Sequence, residues 1–164
     1  MIYKDDGAFA ARVTDFGYST RFADKDDLIH VPKTEPWNAP EHSYDEFTPA
    51  QVQKMDVFSF GILCMWLMFE RYLSGITSLP QEACWAEQYF QGGGGRHLSQ
   101  RILKDLKQED KLVMLAQQLV TAERGLDDDK KRALDQFFSA SLTCNPNGRE
   151  TNLEQSFSCL ISNQ

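Results

Sequence analysis

Three kinds of side chain in this 164-residue sequence could do chemistry: thiols, imidazoles and two acids that bracket a long irregular stretch. The thiols Cys64, Cys84, Cys144 and Cys159 lie far apart, with no Cys-x-x-Cys pair and no histidine at zinc-ligand spacing. A metal site therefore does not follow, and buried free thiols in a reducing compartment are expected. The acids stand in two short motifs, Asp15-Phe16-Gly17 and Ala39-Pro40-Glu41. Either tripeptide alone carries little, because an Asp-x-Gly at the end of a strand is often only a turn.

The elements that would position these residues can be read from periodicity. Ile2-Tyr3, the turn residues Asp5-Asp6-Gly7 and a run through Phe9 to Val13 predict a short hairpin. Residues 15–40 have no sustained period, cluster charge at Asp24, Lys25, Asp26 and Asp27, and carry Pro32, Pro36 and Pro40. A loop of that length in a compact domain is usually functional or disordered. After Pro49 the sequence turns helical. Residues 57–69 (VFSFGILCMWLMF) are apolar almost all round, bounded by Asp56 and by Glu70 and Arg71. That run is shorter than the roughly 20 apolar residues a spanning helix needs, so the expectation is the most buried helix of a globular core.

Further helices are expected from Pro80 to Phe90, stopping at Gly92-Gly93-Gly94-Gly95, then along Leu98, Ile102, Leu103 and Leu106, and along Leu112, Leu115, Ala116, Leu119 and Val120. Asp127 can cap a helix whose stripe is Leu134, Phe137, Phe138 and Leu142, and Asn145-Pro146-Asn147-Gly148 breaks it. Thr151 and Glu154 form a capping-box pattern for a last helix burying Leu153, Phe157, Leu160 and Ile161. The formal net charge of -7 argues against a sequence-independent hold on nucleic acid phosphates. The N-terminus lacks the basic start and apolar stretch of a secretory signal, so a cytoplasmic or nuclear location, no membrane and protein partners are expected.

The two motifs in this order and separation resemble a eukaryotic-type protein kinase, in which Asp-Phe-Gly opens and Ala-Pro-Glu closes the activation segment. The intervening Thr34-Glu35-Pro36-Trp37-Asn38 looks like the stretch that shapes a peptide-substrate site, with Thr34 and Trp37 in the lining positions. Lys54-Met55-Asp56-Val57-Phe58-Ser59-Phe60-Gly61 is similar to the head of that family's central helix. Arg149 stands where the family's arginine pairs with the glutamate of Ala-Pro-Glu, here Glu41. Lys33, Pro36 and Glu150 depart from the usual pattern.

The resemblance implies a mainly α fold: residues 1–14 a β-hairpin, 15–41 the metal-binding motif and activation segment, and 42–164 a helical C-terminal lobe around one buried central helix. It makes Asp15 the Mg²⁺ ligand beneath ATP, Phe16 a packing switch and Gly17 a backbone turn. It makes Asp56 a hydrogen-bond acceptor for catalytic-loop backbone, and Glu41 and Arg149 a buried ion pair. Ser19, Thr20 and Thr34 become possible phosphorylation sites. An acid in the first turn of a helix is also simply a good terminal charge, and Arg149 could be a solvated turn residue.

What the family needs for catalysis is not among these residues. His30, His42 and His97 are followed by Val31, Ser43 and Leu98, so there is no His-Arg-Asp, and the first asparagine is Asn38. The four glycines follow a helix rather than a strand, and Lys4 stands too close to Asp15 to be the strand lysine. The expectation is therefore a truncated serine/threonine-type kinase domain, inactive alone and binding ATP and Mg²⁺ weakly if at all. The alternatives are a non-catalytic module for protein substrates or regulators, and a helical scaffold that merely echoes the motifs.

Overall fold

The computed structural model describes residues 2–5, 8–11, 16–42, 46–90 and 100–153. Two strands, β1 (Ile2–Asp5) and β2 (Ala8–Ala11), pair antiparallel with Ile2 opposite Ala11 and Asp5 opposite Ala8. The rest of the described chain is helical or irregular. Five helices follow: α1 (Pro49–Leu73), α2 (Glu87–Phe90), α3 (Gln100–Gln108), α4 (Leu112–Ala122) and α5 (Asp128–Leu142). The mainly α expectation holds at that level.

α1 begins earlier than its apolar run because Thr48 and Gln51 close a capping box. The Gln51 carbonyl side chain accepts from the Thr48 amide at 2.8 Å, and the Thr48 hydroxyl accepts from the Gln51 amide. Pro49 then takes the first helical position, where its missing N–H costs nothing. At 25 residues α1 is long enough to cross a membrane, with a mean hydropathy of 1.3 over its best 18-residue window. The length argument against spanning therefore fails, and packing describes the helix instead. Phe58, Ile62, Met65 and Phe69 are buried on one face, against α5.

That contact is close because Gly61 sits in it. A Cβ there would come within 2.6 Å of the Ser141 Oγ and 2.9 Å of a Leu142 methyl carbon. Phe137 meets Phe60 edge to face at 6.1 Å and Phe138 lies 6.1 Å from Phe69, so aromatic rings close the seam above and below the glycine. Leu112, Leu115, Ala116, Leu119 and Val120 of α4 complete the core at helical spacing.

α1 is not the most buried helix, however. It buries 10 of its 25 residues where α4 buries 5 of 11. Phe60, Leu63 and Leu67 are 42%, 43% and 66% exposed.

The other helices follow their local signals. Asp127 caps α5, its carboxylate accepting from the Lys130 amide at 2.8 Å. Asn145 accepts from the Asn147 amide at 3.0 Å and turns the chain into a short 3₁₀ stretch at Pro146–Gly148. After Pro80 the chain winds first as a 3₁₀ helix over Gln81–Ala86 and only then as α2, so the expected single helix is divided. The glycine run and the last expected helix beyond Leu153 lie outside the described residues. The thiols correct another expectation. Cys84 is exposed, while Cys64 and Cys144 are half-buried and free; Cys159 lies outside the described residues.

Candidate functional site

The irregular stretch between β2 and α1 is where the sequence put its chemistry. Its first part is exposed. Asp15 lies outside the described residues, and Phe16 is 67% exposed in a 3₁₀ turn over Phe16–Tyr18. The expected packing of Phe16 as a switch is therefore not seen, since no described side chain covers its ring. Ser19 and Thr20 are exposed as well. The acidic cluster is an ordered turn: the Asp27 carboxylate accepts from the Ala23 and Asp24 amides at 2.8 and 2.9 Å. Those two hydrogen bonds hold its carboxyl below the usual range.

The second part, residues 29–47, is tied down at both ends. Ile29 and Phe47 exchange backbone hydrogen bonds at 2.8 and 3.0 Å in a single antiparallel bridge, with both side chains buried. Between them Thr34 turns the chain, its carbonyl accepting from the Trp37 amide at 2.9 Å and the Asn38 amide at 3.3 Å. Ala39 is fully buried beneath this turn.

Two long-range polar anchors hold the turn to the helices. Lys107 on α3 donates from Nζ to the carbonyls of Pro36 and Asn38, the latter at 2.6 Å. Burial pushes the Lys107 ammonium down to about 8 from the usual 10.5, with the charges of Cys144 and Glu35 acting the other way. The second anchor is Arg149. Its guanidinium meets the Glu41 carboxylate through both terminal nitrogens, at 2.5 and 2.9 Å, across 108 residues of sequence. It also donates to the carbonyls of Thr143, Lys54 and Cys144 at 2.8, 3.2 and 3.2 Å. The Arg149 side chain is fully buried and lies over the Phe58 ring at 4.6 Å. All five of its N–H groups thus have acceptors in range, which is what a buried guanidinium requires.

The turn leaves a cleft on each side. One, of about 510 Å³, runs between the turn and α1 and is lined by Thr34, Trp37, His42, Asp56, Phe60 and Leu63 among others. The other, of about 330 Å³, lies against α3 and includes Glu35, Pro40, His42, Lys104 and Lys107. His42 borders both. Its ring is 6% exposed, stacks at a tilt on Phe47 at 5.4 Å, and has no hydrogen-bond partner on either nitrogen.

Asp56 stands at the edge of the first cleft. It lies two turns in from Pro49 rather than in the first turn of α1, so the terminal-charge explanation does not apply. Among the described residues it has no hydrogen-bond partner, and partial burial pushes its carboxyl up.

The structure therefore brings together Thr34, Trp37 and Asp56 around one cleft, and pairs Glu41 with Arg149 beneath it. It does not bring Phe16 or Gly17 to that cleft. Lys107, His42 and Gly61 were missed by sequence reasoning. Lys107 follows directly on the apolar stripe of α3, but nothing in the sequence names carbonyls some 70 residues away as its partners. Cys64 and Cys144 are poor nucleophiles, since burial pushes Cys64 up to about 11 and Cys144 up to about 12. What the arrangement offers chemically is an apolar cleft with an acid, a hydroxyl and an indole at its rim. No family model matches this chain, and neither the curated proteins nor the solved structures compared with it contain a match.

Proposed function

We propose that this chain is the C-terminal lobe of a eukaryotic-type protein kinase domain and that, alone, it binds a protein substrate or regulator without transferring phosphate. The observation that carries the reading is the Glu41–Arg149 pair. The resemblance joins these two residues across 108 positions, and a bidentate, fully hydrogen-bonded guanidinium is an improbable product of chance placement. The family activity is ATP-dependent phosphorylation of protein serine and threonine.

ATP and Mg²⁺ would need more than these residues offer. Among the described residues there is no group of three or more His, Cys, Asp or Glu side chains that could hold a metal ion. Asp15 lies outside them, and Phe16 and Gly17 are exposed. Mg²⁺ keeps its water reluctantly and relies on substrate phosphates, which no glycine-rich loop or strand lysine is present to position.

The binding role draws on the cleft of Thr34, Trp37 and Asp56. An unpaired carboxylate at the edge of an apolar cleft favours a ligand that brings N–H donors and apolar side chains, as an extended peptide does. Thr34, Ser19 and Thr20 are exposed, as modification would require. The test is a radiolabelled ATP assay on the purified chain beside Asp15→Ala, with a generic protein substrate. No transfer above background is expected from either. Turnover that disappears in Asp15→Ala would overturn the non-catalytic reading.

A further inference from the structure

The cleft against α3 gathers positive charge in a chain whose formal net charge is -7. Lys33 enters it from the turn and Lys104 and Lys107 from α3, and among the described residues Glu35 is the only acid in its lining. Lys107 is already engaged. Its Nζ donates to the Pro36 and Asn38 carbonyls, and the Glu35 charge favours its ammonium form. Lys33 and Lys104 are exposed, and among the described residues neither has a hydrogen bond or an ion pair. Two positive charges, one on the turn and one on α3, thus face the same cleft without a counter-charge.

His42 is the second, independent sign of a ligand. It lines the same cleft, its ring is 6% exposed, and neither ring nitrogen has a hydrogen-bond partner. A buried polar atom left in that state costs stability unless a ligand supplies the partner. An imidazole always has at least one N–H to give, so an acceptor is what the site lacks. Two ammonium groups and one imidazole N–H suit the three oxygens and nearly two negative charges of a phosphate monoester. A carboxylate would bring one charge to two lysines. At about 330 Å³ the cleft is at the small end for ligand sites, which fits a single side chain rather than a nucleotide or a run of nucleic acid. Pro36 and Pro40 add an apolar wall that serves the residues flanking such a side chain and gives a free ion nothing.

We propose that this cleft binds a phosphoserine or phosphothreonine side chain of a protein segment, with Lys33 and Lys104 on the phosphate oxygens and His42 donating from its ring. Lys33 is one of the positions that depart from the kinase pattern, and His42 and Lys104 belong to none of its motifs. The site therefore does not come from the resemblance, and it holds whether or not the kinase reading does.

The experiment uses the full chain and a fluorescein-labelled peptide of phosphoserine flanked by alanines, read by fluorescence anisotropy at about pH 7.5, where the phosphate is mostly a dianion. The parent chain should bind it saturably, and Lys33→Gln with Lys104→Gln should weaken binding at least about tenfold. Both lysines are exposed, so the double variant keeps the fold. Lys25→Gln with Arg124→Gln removes the same charge at exposed positions outside the cleft and should leave binding unchanged. Absence of saturable binding, or equal losses in the two double variants, would overturn the proposal. Unlabelled peptides with serine or glutamate in place of phosphoserine, and inorganic phosphate, should compete several-fold more weakly than the phosphopeptide. Equal competition by the glutamate peptide would make this a carboxylate site, and by inorganic phosphate a site for the free ion; either overturns the proposal. The ring nitrogen resonances of His42 should shift as the phosphopeptide is added, and unmoved resonances would overturn it as well.

Discussion

The seam between α1 and α5 and the turn over residues 29–47 are held by opposite means. In the seam, contact is made by shape: Gly61 lets two backbones approach, and the rings of Phe69, Phe137 and Phe138 fill the space around it. In the turn the backbone is irregular, and two distant cations, Lys107 on α3 and Arg149 just after the Pro146–Gly148 stretch, reach in to its carbonyls and to the Glu41 carboxylate. The seam is stabilised by apolar area, which is non-directional and tolerates small shifts. The turn depends on a few directional bonds, each of which leaves stranded partners when broken. A surface meant to bind or be modified suits the second construction, because it can be released without unfolding the first.

The largest effect should come from the seam. Phe138→Ala removes a fully buried ring and should lower stability by about 4 kcal/mol, with loss of signal from all helices together in urea unfolding. If the turn alone came loose, the seam would not be the common core. Arg149→Ala should cost about 3 kcal/mol, since it leaves Glu41 and three carbonyls without their donor. Hydrogen exchange should also rise at residues 37–42 well before it rises in α4. A cost near zero would make the arginine a solvated turn residue.

Gly61→Ala sets two effects against each other. Alanine is favoured in a helix by about 1 kcal/mol, but a Cβ 2.6 Å from the Ser141 Oγ must displace a side chain that donates to the Phe137 carbonyl at 2.7 Å. Overpacking of about 2 kcal/mol outweighs the helix term, for a net loss of about 1 kcal/mol. Adding Ser141→Ala should recover part of it in the same denaturation measurement. A stabilised single variant would mean that α5 shifts freely.

The smallest effect tests the turn. Because burial holds Lys107 at about 8 when folded and the unfolded chain binds that proton up to about 10.5, the unfolded state carries more protons between these values. Stability from Lys107 must then rise with pH across that window and stay flat below it. The difference between the parent chain and Lys107→Met should move toward the parent by at most about 1 kcal/mol per pH unit above about pH 8. A flat difference would mean that the carbonyls of Pro36 and Asn38 offset the burial.

How much of this could be read from the sequence differs between the same two regions. Helices α4 and α5 were legible with their stripes, and so were the Asp127 cap and the Asn145 turn, because those signals lie within a few residues of one another. The start of α1 after Pro49 was legible too, and Thr48-x-x-Gln51 is the local signal that fixes it. The meeting of Glu41 and Arg149 was anticipated through the kinase resemblance and by no local pattern. That Phe16 stands in solvent, that Lys107 clasps the turn, and that Leu63 and Leu67 of α1 are exposed are matters of which surfaces meet. By itself the sequence determined where helices form and which stripe each would bury, since local periodicity and capping act through neighbours. Only the tertiary structure decided which apolar face found a partner and which polar group found an acceptor. Those choices depend on residues up to 108 positions apart, whose proximity no local preference encodes.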